Sequence, residues 1–279
     1  MLEFQLFRIK VFPPAQRSLF PEQQKTPQQI LVDVVRSLPE LEIRKGVVWH
    51  IGNVSEIDDE GFYFRLGRTS RATIEIYRDG KFLDQEFPVS PYTHVVLDTA
   101  LEICAVARKT KLSKTPRRLA NKFQRLLLAS PLARETGTGI EVGAVTDPED
   151  FIAHLWSAHS VNRFWVTFTR PNAIDADRDF IKPMERLLKE ADGHKGKTEL
   201  EGESLETATL ESLARSAAST GDDAGASIRT EAHQPKTRVR LTGNVAVVTN
   251  DEPQDDEEKR GLLWKVRERY HAIREGLSK

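Results

Sequence analysis

A run of basic side chains between residues 108 and 125 is the part of this 279-residue chain whose residue types most directly indicate chemistry. Eight Lys or Arg residues occur there, and no Asp or Glu lies among them. Because like charges repel one another unless solvent or a polyanion screens them, the run predicts one of two surfaces. It is either a solvated basic face or a face that contacts nucleic-acid phosphates. The eight residues are Arg108, Lys109, Lys111, Lys114, Arg117, Arg118, Lys122 and Arg125.

The residues that could act in catalysis form less specific patterns than the basic run does. His50 lies in the strand-like segment VVWHIGN and is either a partly buried structural histidine or, with an acidic partner, the general base of a nuclease. An acidic loop follows, which would either hold a divalent ion or form a solvated turn. Its carboxylates are Glu56, Asp58, Asp59 and Glu60. The histidines lack metal-ligand spacing, and no phosphate-binding loop or nucleophile motif occurs, so we predict no metal site and no cofactor.

Arginine and aromatic residues are interleaved in the strands that follow the acidic loop. On an exposed sheet face such side chains stack on bases and bind phosphates. In an ordinary amphipathic sheet the same aromatic residues fill the core. The sequence leaves both interpretations open for Arg65, Arg68, Arg71 and Arg78 with Phe62, Tyr63, Phe64 and Tyr77.

Charge distribution favours the N-terminal part of the chain as the part that meets a polyanion. Residues 1–135 carry 21 Lys or Arg against 16 Asp or Glu, whereas acidic residues are in excess in the remainder. The single cysteine, Cys104, lies among apolar residues, which predicts a core position and a reducing, cytoplasmic location. No apolar run approaches the roughly 18 residues of a membrane helix, so we predict no membrane partner.

The basic run leads into a predicted amphipathic helix. Thr115 followed by Pro116 is typical of an N-cap and a first helical position. Apolar residues then recur at helical spacing, so the helix should pack with one face and present its cations on the other. This apolar stripe is Leu119, Phe123, Leu126 and Leu127.

The remaining patterns predict an α+β fold made of two α+β units. Residues 1–135 form an antiparallel meander, with a hairpin turn at Asp79-Gly80, and the basic helix. Residues 136–250 form the second unit, and residues 251–279 form an acidic linker and a C-terminal amphipathic helix. Both units contain the order strand, proline, helix, strand, which is compatible with ferredoxin-like topology.

Four segments carry more specific expectations. Residues 61–66 and 72–77 are predicted to be two separate strands. Residues 93–107 are apolar enough for either one central strand or one buried helix. Residues 219–226 have the composition of a flexible loop. In the C-terminal helix, an apolar stripe should face either the body of this chain or a partner. The stripe includes Leu263, Val266 and Tyr270.

The segment RFWVTFTRPN at Arg163–Asn172, its helix and the later TGN at Thr242–Asn244 resemble uncharacterised bacterial proteins found near phage-defence and mobile-element loci. The resemblance covers the C-terminal half of the chain. It implies a role in nucleic-acid biology and carries over no functional residues.

The sequence therefore predicts a cytoplasmic accessory protein that contacts RNA or DNA through its basic helix, in bacterial antiviral defence. The first alternative is a nuclease or toxin-like effector enzyme. The second is a protein–protein interaction subunit that binds a partner, or a second copy of itself, through the C-terminal helix.

Overall fold

The computed structural model describes residues 1–12, 25–169, 181–191, 193 and 195–276. These residues form helices and antiparallel sheets, which confirms the α+β class. The helices are α1 (Pro27–Arg36), α2 (Pro116–Leu128), α3 (Pro131–Thr136), α4 (Glu149–Ser157), α5 (Ile181–Glu190), α6 (Thr207–Thr220) and α7 (Asp256–Glu275). The strands are β1 (Leu2–Phe12), β2 (Glu40–Arg44), β3 (Val47–Glu56), β4 (Gly61–Arg78), β5 (Lys81–Val89), β6 (Tyr92–Asp98), β7 (Ile103–Ala107), β8 (Gly139–Ala144), β9 (Ser160–Thr169), β10 (Lys195–Glu201), β11 (Ala224–Arg229), β12 (Thr237–Arg240) and β13 (Val247–Asn250).

The larger sheet has the strand order β13-β1-β7-β6-β4-β3-β2, with β8 also paired to β1 and β5 paired to β4. Strand β1 is central, because β7 pairs with it along one edge while β13 and β8 pair with successive parts of it. Its side chains are buried on both faces, with Leu6 in one core and Phe7 in the other. The burial includes two cations, Arg8 and Lys10, and each forms an ion pair with a carboxylate.

The smaller sheet has the order β10-β9-β11-β12. The two sheets do not divide the chain at residue 135, because β8 and β13 belong to the same sheet as β1. The ferredoxin-like expectation is not confirmed. A split βαβ unit joins parallel strands, whereas the pairings among the described strands are antiparallel.

Two apolar cores lie on opposite faces of the larger sheet. Helices α1 and α2 cover one face, where Trp49 and Phe123 are both 1% exposed. Helices α4, α6 and α7 fill the other core, which extends to β9 and β11 of the smaller sheet. Cys104 belongs to the first core, as expected, and burial raises the pKa of its thiol.

Three local expectations are wrong. Residues 61–66 and 72–77 belong to one strand, β4, because the chain stays extended through Gly67. Tyr92 of the neighbouring strand packs closely there, and a Cβ added at Gly67 would lie 2.9 Å from it. Residues 93–107 form neither one strand nor one helix but the hairpin of β6 and β7. Residues 219–226 are not a flexible loop, because α6 continues to Thr220 and β11 begins at Ala224, which is 1% exposed.

The C-terminal helix packs on the chain itself. Leu263, Val266 and Tyr270 are at most 1% exposed and belong to the core that also holds Leu6 and Phe164. The expected apolar contact is therefore supplied by the body of this chain. Association through that stripe would require α7 to leave its own core.

A buried histidine connects the segment before α7 to the larger sheet. His94 is 7% exposed, its Nδ1 lies 2.6 Å from the Tyr63 hydroxyl, and its Nε2 lies 3.4 Å from a carboxylate oxygen of Glu252. Burial lowers the pKa of His94, Glu252 opposes this change, and the cations Arg65 and Lys109 add to it. Burial and Glu252 raise the pKa of Tyr63 to about 12, so its hydroxyl stays protonated.

We expect this histidine to make the protein less stable in mild acid. The folded state binds a proton on His94 less readily than the unfolded state does, so stability is lost as pH falls through the ordinary histidine pKa of about 6.5. His94→Gln should make the free energy of unfolding, measured by urea titration at several pH values, decline less steeply there. The exposed His233 offers the control His233→Gln. An unchanged slope in the His94 variant would contradict the assignment.

Candidate nucleic-acid interface

Helix α2 forms where the sequence predicts it. The Thr115 side chain accepts a hydrogen bond from the amide of Arg118 at 3.4 Å, and Pro116 occupies the first turn. The predicted stripe is confirmed, because its four residues are at most 5% exposed and pack against the larger sheet. The apolar face of α2 is therefore buried against the sheet, and the polar residues lie on the flanks of the helix.

Three of the predicted cations share one flank of α2. Arg118, Lys122 and Arg125 follow one another at i, i+4 and i+7, which places them on the same side of a helix. This side faces β3, because the Lys122 ammonium lies 5.0 Å from the centroid of the Trp49 ring and donates to the Leu112 carbonyl at 3.1 Å. Arg117 precedes Arg118 by one residue, a rotation of about 100° about the helix axis, and so lies on a different side.

Two arginines from distant strands join this flank. Burial lowers the pKa of Lys122, and the nearby charges of Arg68, Arg118 and Arg44 lower it further. Arg68, on β4, donates to the Lys111 carbonyl at 3.2 Å, and Arg44 ends β2. We call Arg44, Arg68, Arg118, Lys122 and Arg125 the basic surface. A cluster of like charges around a partly buried lysine is typical of a site that receives an anion.

The cations that precede α2 lie around its N-terminus. Arg108 forms an ion pair with Glu3 at 3.2 Å, and Lys109 lies 4.8 Å from the Tyr92 ring centroid. Lys114 joins them in lining a cleft of about 440 Å³ beside Thr115. Lys111 is exposed. Of the eight predicted residues, three therefore line the cleft at the helix start and three lie along one flank of α2.

Carboxylate partners are scarce around these cations. Among the described residues, Arg108 forms an ion pair, whereas no Asp or Glu forms one with the other seven predicted cations. The same holds within that part of the chain for Arg44 and Arg68. The positive charge of the surface is therefore not neutralised by the protein's own described carboxylates.

Sequence reasoning missed Arg44 and separated Arg68 from the helix. The sequence pattern groups Arg68 with the aromatic residues of the hairpin strands, but Phe62, Tyr63 and Phe64 are core residues that are at most 6% exposed. The signal that could have placed Arg68 is strand alternation, because Phe64 and Leu66 face the core beneath α2 and Arg68 follows at the same spacing.

The geometry around His50 gives the enzyme alternative its best support. Its Nδ1 lies 2.9 Å from a Glu40 carboxylate oxygen and its Nε2 lies 3.0 Å from the Thr69 hydroxyl. A carboxylate, an imidazole and a hydroxyl in this order are the parts of an activated nucleophile. Here they are neighbours across paired strands, because Glu40 is directly opposite His50. Cross-strand hydrogen bonding explains the same distances without catalysis.

The acidic loop is a structural turn. The Asp58 carboxylate accepts hydrogen bonds from the amides of Glu60 and Gly61 and lies 3.1 Å from the Arg267 guanidinium. Burial alone would raise the pKa of Asp58, but these amides and Arg267 outweigh it, so the pKa lies below its ordinary value. No group of three or more metal-ligating side chains occurs in the described ranges.

The chain is an α+β protein whose candidate site is a cation cluster on one helix and two strands. No protein-family model matches the chain, and no curated protein sequence matches it. In the part of the chain that the structure describes, no helix has the length and apolar character needed to cross a bilayer.

Proposed function

We propose that this protein is a nucleic-acid-binding accessory protein that contacts the phosphate backbone through the basic surface. The observation that carries the proposal is the cluster itself. Cations from β2, β4 and α2 lie around Lys122, whose pKa is lowered first by burial and further by these charges, and none of the five residues forms an ion pair with a described carboxylate. A phosphate backbone would relieve this repulsion and release its own counterions.

The surface suits backbone contact better than base reading. The aromatic ring that Lys122 contacts, that of Trp49, is 1% exposed and therefore is not free for base stacking. Phosphate contacts position a protein without reading sequence. We therefore propose binding with little sequence preference and do not distinguish RNA from DNA. A role in bacterial antiviral defence, in the cytoplasm, rests on the resemblance of the C-terminal half and on the lone, buried Cys104.

The test is the salt dependence of binding. A variant carrying Arg118→Gln, Lys122→Gln and Arg125→Gln keeps the apolar stripe and good helix propensity. In fluorescence anisotropy with labelled RNA and DNA, single- and double-stranded, it should bind about tenfold to 100-fold more weakly near physiological salt. Its plot of log K against log[salt] should lose about 2 to 3 units of slope, because three phosphate contacts are removed.

The matched control removes three cations elsewhere. Lys236→Gln, Arg238→Gln and Arg240→Gln alter exposed residues at and beside β12. This variant should bind as the parent does, and an equal loss in both variants would show diffuse attraction and overturn the proposal. A parent that binds neither RNA nor DNA would also overturn it. Strand cleavage by the parent that persists in EDTA and is lost in His50→Gln would favour the metal-independent enzyme alternative.

A further inference from the structure

Residues 70–89 form a two-stranded arm that extends from the larger sheet. The partner strands of β4 end at Thr69 and Gly67, and beyond them β4 pairs with β5 in nine consecutive pairs, from Ser70↔Val89 to Arg78↔Lys81. The turn at Asp79-Gly80 has φ values of 51° and 78°, which confirms the predicted hairpin. The ten residue-to-residue steps from Arg68 to Arg78 span about 34 Å.

The two faces of the arm differ in charge. One face carries no charged residue over four successive cross-strand pairs, and we call it the uncharged face. It consists of Ser70, Ala72, Ile74, Ile76, Leu83, Gln85, Phe87 and Val89. The opposite face carries Arg71, Thr73, Glu75, Tyr77, Phe82, Asp84, Glu86 and Pro88.

In the described part of the chain, the uncharged face consists of exposed and half-buried side chains. Ile74 and Leu83 are each 46% exposed, and none of the arm residues belongs to either described core. An isolated hairpin is only marginally stable in water, and contiguous exposed apolar side chains mark interaction surfaces. The arm therefore has the properties of a docking element.

Positive charge borders the uncharged face at both ends. Arg78 and Lys81 form the last pair before the turn and project from the same face as Ile76 and Leu83. At the other end, Arg68 precedes Ser70 by two residues on the uninterrupted strand and belongs to the basic surface. An occupant that complements this pattern is apolar in its middle and acidic at both of its ends.

Other occupants fit less well. Two copies packed face to face would bring Arg78 and Lys81 near either themselves or Arg68, so like charges would meet in both orientations. Nucleic acid is a poor occupant, because the uncharged face has no cation over four cross-strand pairs and the opposite face of the arm carries three carboxylates. Addition of a strand to the edge of β5 is opposed by Pro88, which lacks an amide proton.

We infer that the uncharged face of the arm docks an acidic amphipathic segment of another protein, whose carboxylates meet Arg68 at one end and Arg78 and Lys81 at the other. This interaction does not use the cations of α2, although it shares Arg68 with the basic surface. It gives the accessory role a second surface, through which the protein would be held in an assembly.

The probe is a labelled synthetic helix of about 22 residues, which is about 33 Å long, with a leucine stripe and glutamates at both ends. The parent should bind it, and a counterpart with lysines in place of the glutamates should not bind. Ile74→Thr with Leu83→Thr keeps strand propensity and should weaken binding at least tenfold. Arg78→Gln with Lys81→Gln should weaken binding and reduce its salt dependence.

The matched control lies on the other face of the same arm. Tyr77 and Phe82 are 67% and 82% exposed, and Tyr77→Thr with Phe82→Thr should bind the peptide as the parent does. The Ile74 and Leu83 variant should bind RNA and DNA as the parent does, which separates this inference from the proposed function. The inference would be overturned if the parent did not bind the acidic peptide or if the control variant lost as much peptide binding as the Ile74 and Leu83 variant. It would also be overturned if the Ile74 and Leu83 variant lost nucleic-acid binding, or if the parent were a dimer in sedimentation and this variant were not.

Discussion

Glu102→Gln is expected to lower the free energy of unfolding by about 3–5 kcal/mol, because it removes the carboxylate charge from a buried ion pair with Arg8. Arg8 and Glu102 are each 1% exposed, and a guanidinium nitrogen lies 3.2 Å from a carboxylate oxygen. Arg8 also donates to the Leu101 carbonyl and to the Tyr270 hydroxyl. The pair thus joins β1, the β6–β7 turn and α7, so its disruption should destabilise the packing of all three elements.

Urea unfolding at neutral pH measures the effect, and the chain offers a surface control. Arg71 and Glu86 form an ion pair at 3.3 Å with side chains that are 79% and 59% exposed, so Glu86→Gln should cost about 0–1 kcal/mol. The double variant Arg8→Met with Glu102→Gln should recover part of the lost stability, since neither position of the buried pair then carries a charge. If Glu102→Gln costs no more than Glu86→Gln, the buried pair does not stabilise the fold.

Arg267→Gln should lower the free energy of unfolding by about 2–4 kcal/mol, because Arg267 neutralises a buried carboxylate. Its guanidinium lies 2.5 Å from Asp98, which is 1% exposed, and it also approaches Asp58 at 3.1 Å. Arg267 therefore ties α7 to the end of β6 and to the β3–β4 turn.

Acid titration gives this variant a second signature. The lowered pKa of Asp58 contributes stability that is present above its ordinary value of about 4 and is lost as pH falls below it. Removing Arg267 should reduce that acid-sensitive contribution. The control on the same helix is Arg269→Gln, whose partner Asp147 is 33% exposed, and the expected cost is about 0–1 kcal/mol. Equal costs for the two arginines would refute the role of Asp98 burial.

Part of the candidate site could be predicted because its determinants are local. The cap of α2 depends on Thr115, Pro116 and Arg118, which are neighbours in sequence, and the spacing of its stripe follows from helical geometry. The flank of Arg118, Lys122 and Arg125 follows from the same geometry. The contribution of Arg44 and Arg68 could not be predicted, because it depends on which strands pack beneath the helix.

The errors in the fold have a common physical origin. Residues 93–107 are buried on both faces, so they lack the alternation that identifies a strand, and their turn contains Glu102 with φ of 53° rather than glycine. Residues 219–226 look like a loop, yet Gly225 lies under Trp165, where an added Cβ would be 2.6 Å from the ring. In both segments the secondary structure depends on contacts with residues that are far away in the sequence.

The sequence alone determined the elements whose signals are local: the capped helix α2, the Asp79-Gly80 hairpin and the apolar stripe of α7. It also determined the class of the fold. Tertiary structure alone decided that β8 and β13 complete the first sheet, that the stripe of α7 is covered by its own chain, and that Arg44 and Arg68 join α2. Strand pairing and core packing join residues far apart in sequence, and their energies depend on the complementarity of whole surfaces that local patterns do not encode.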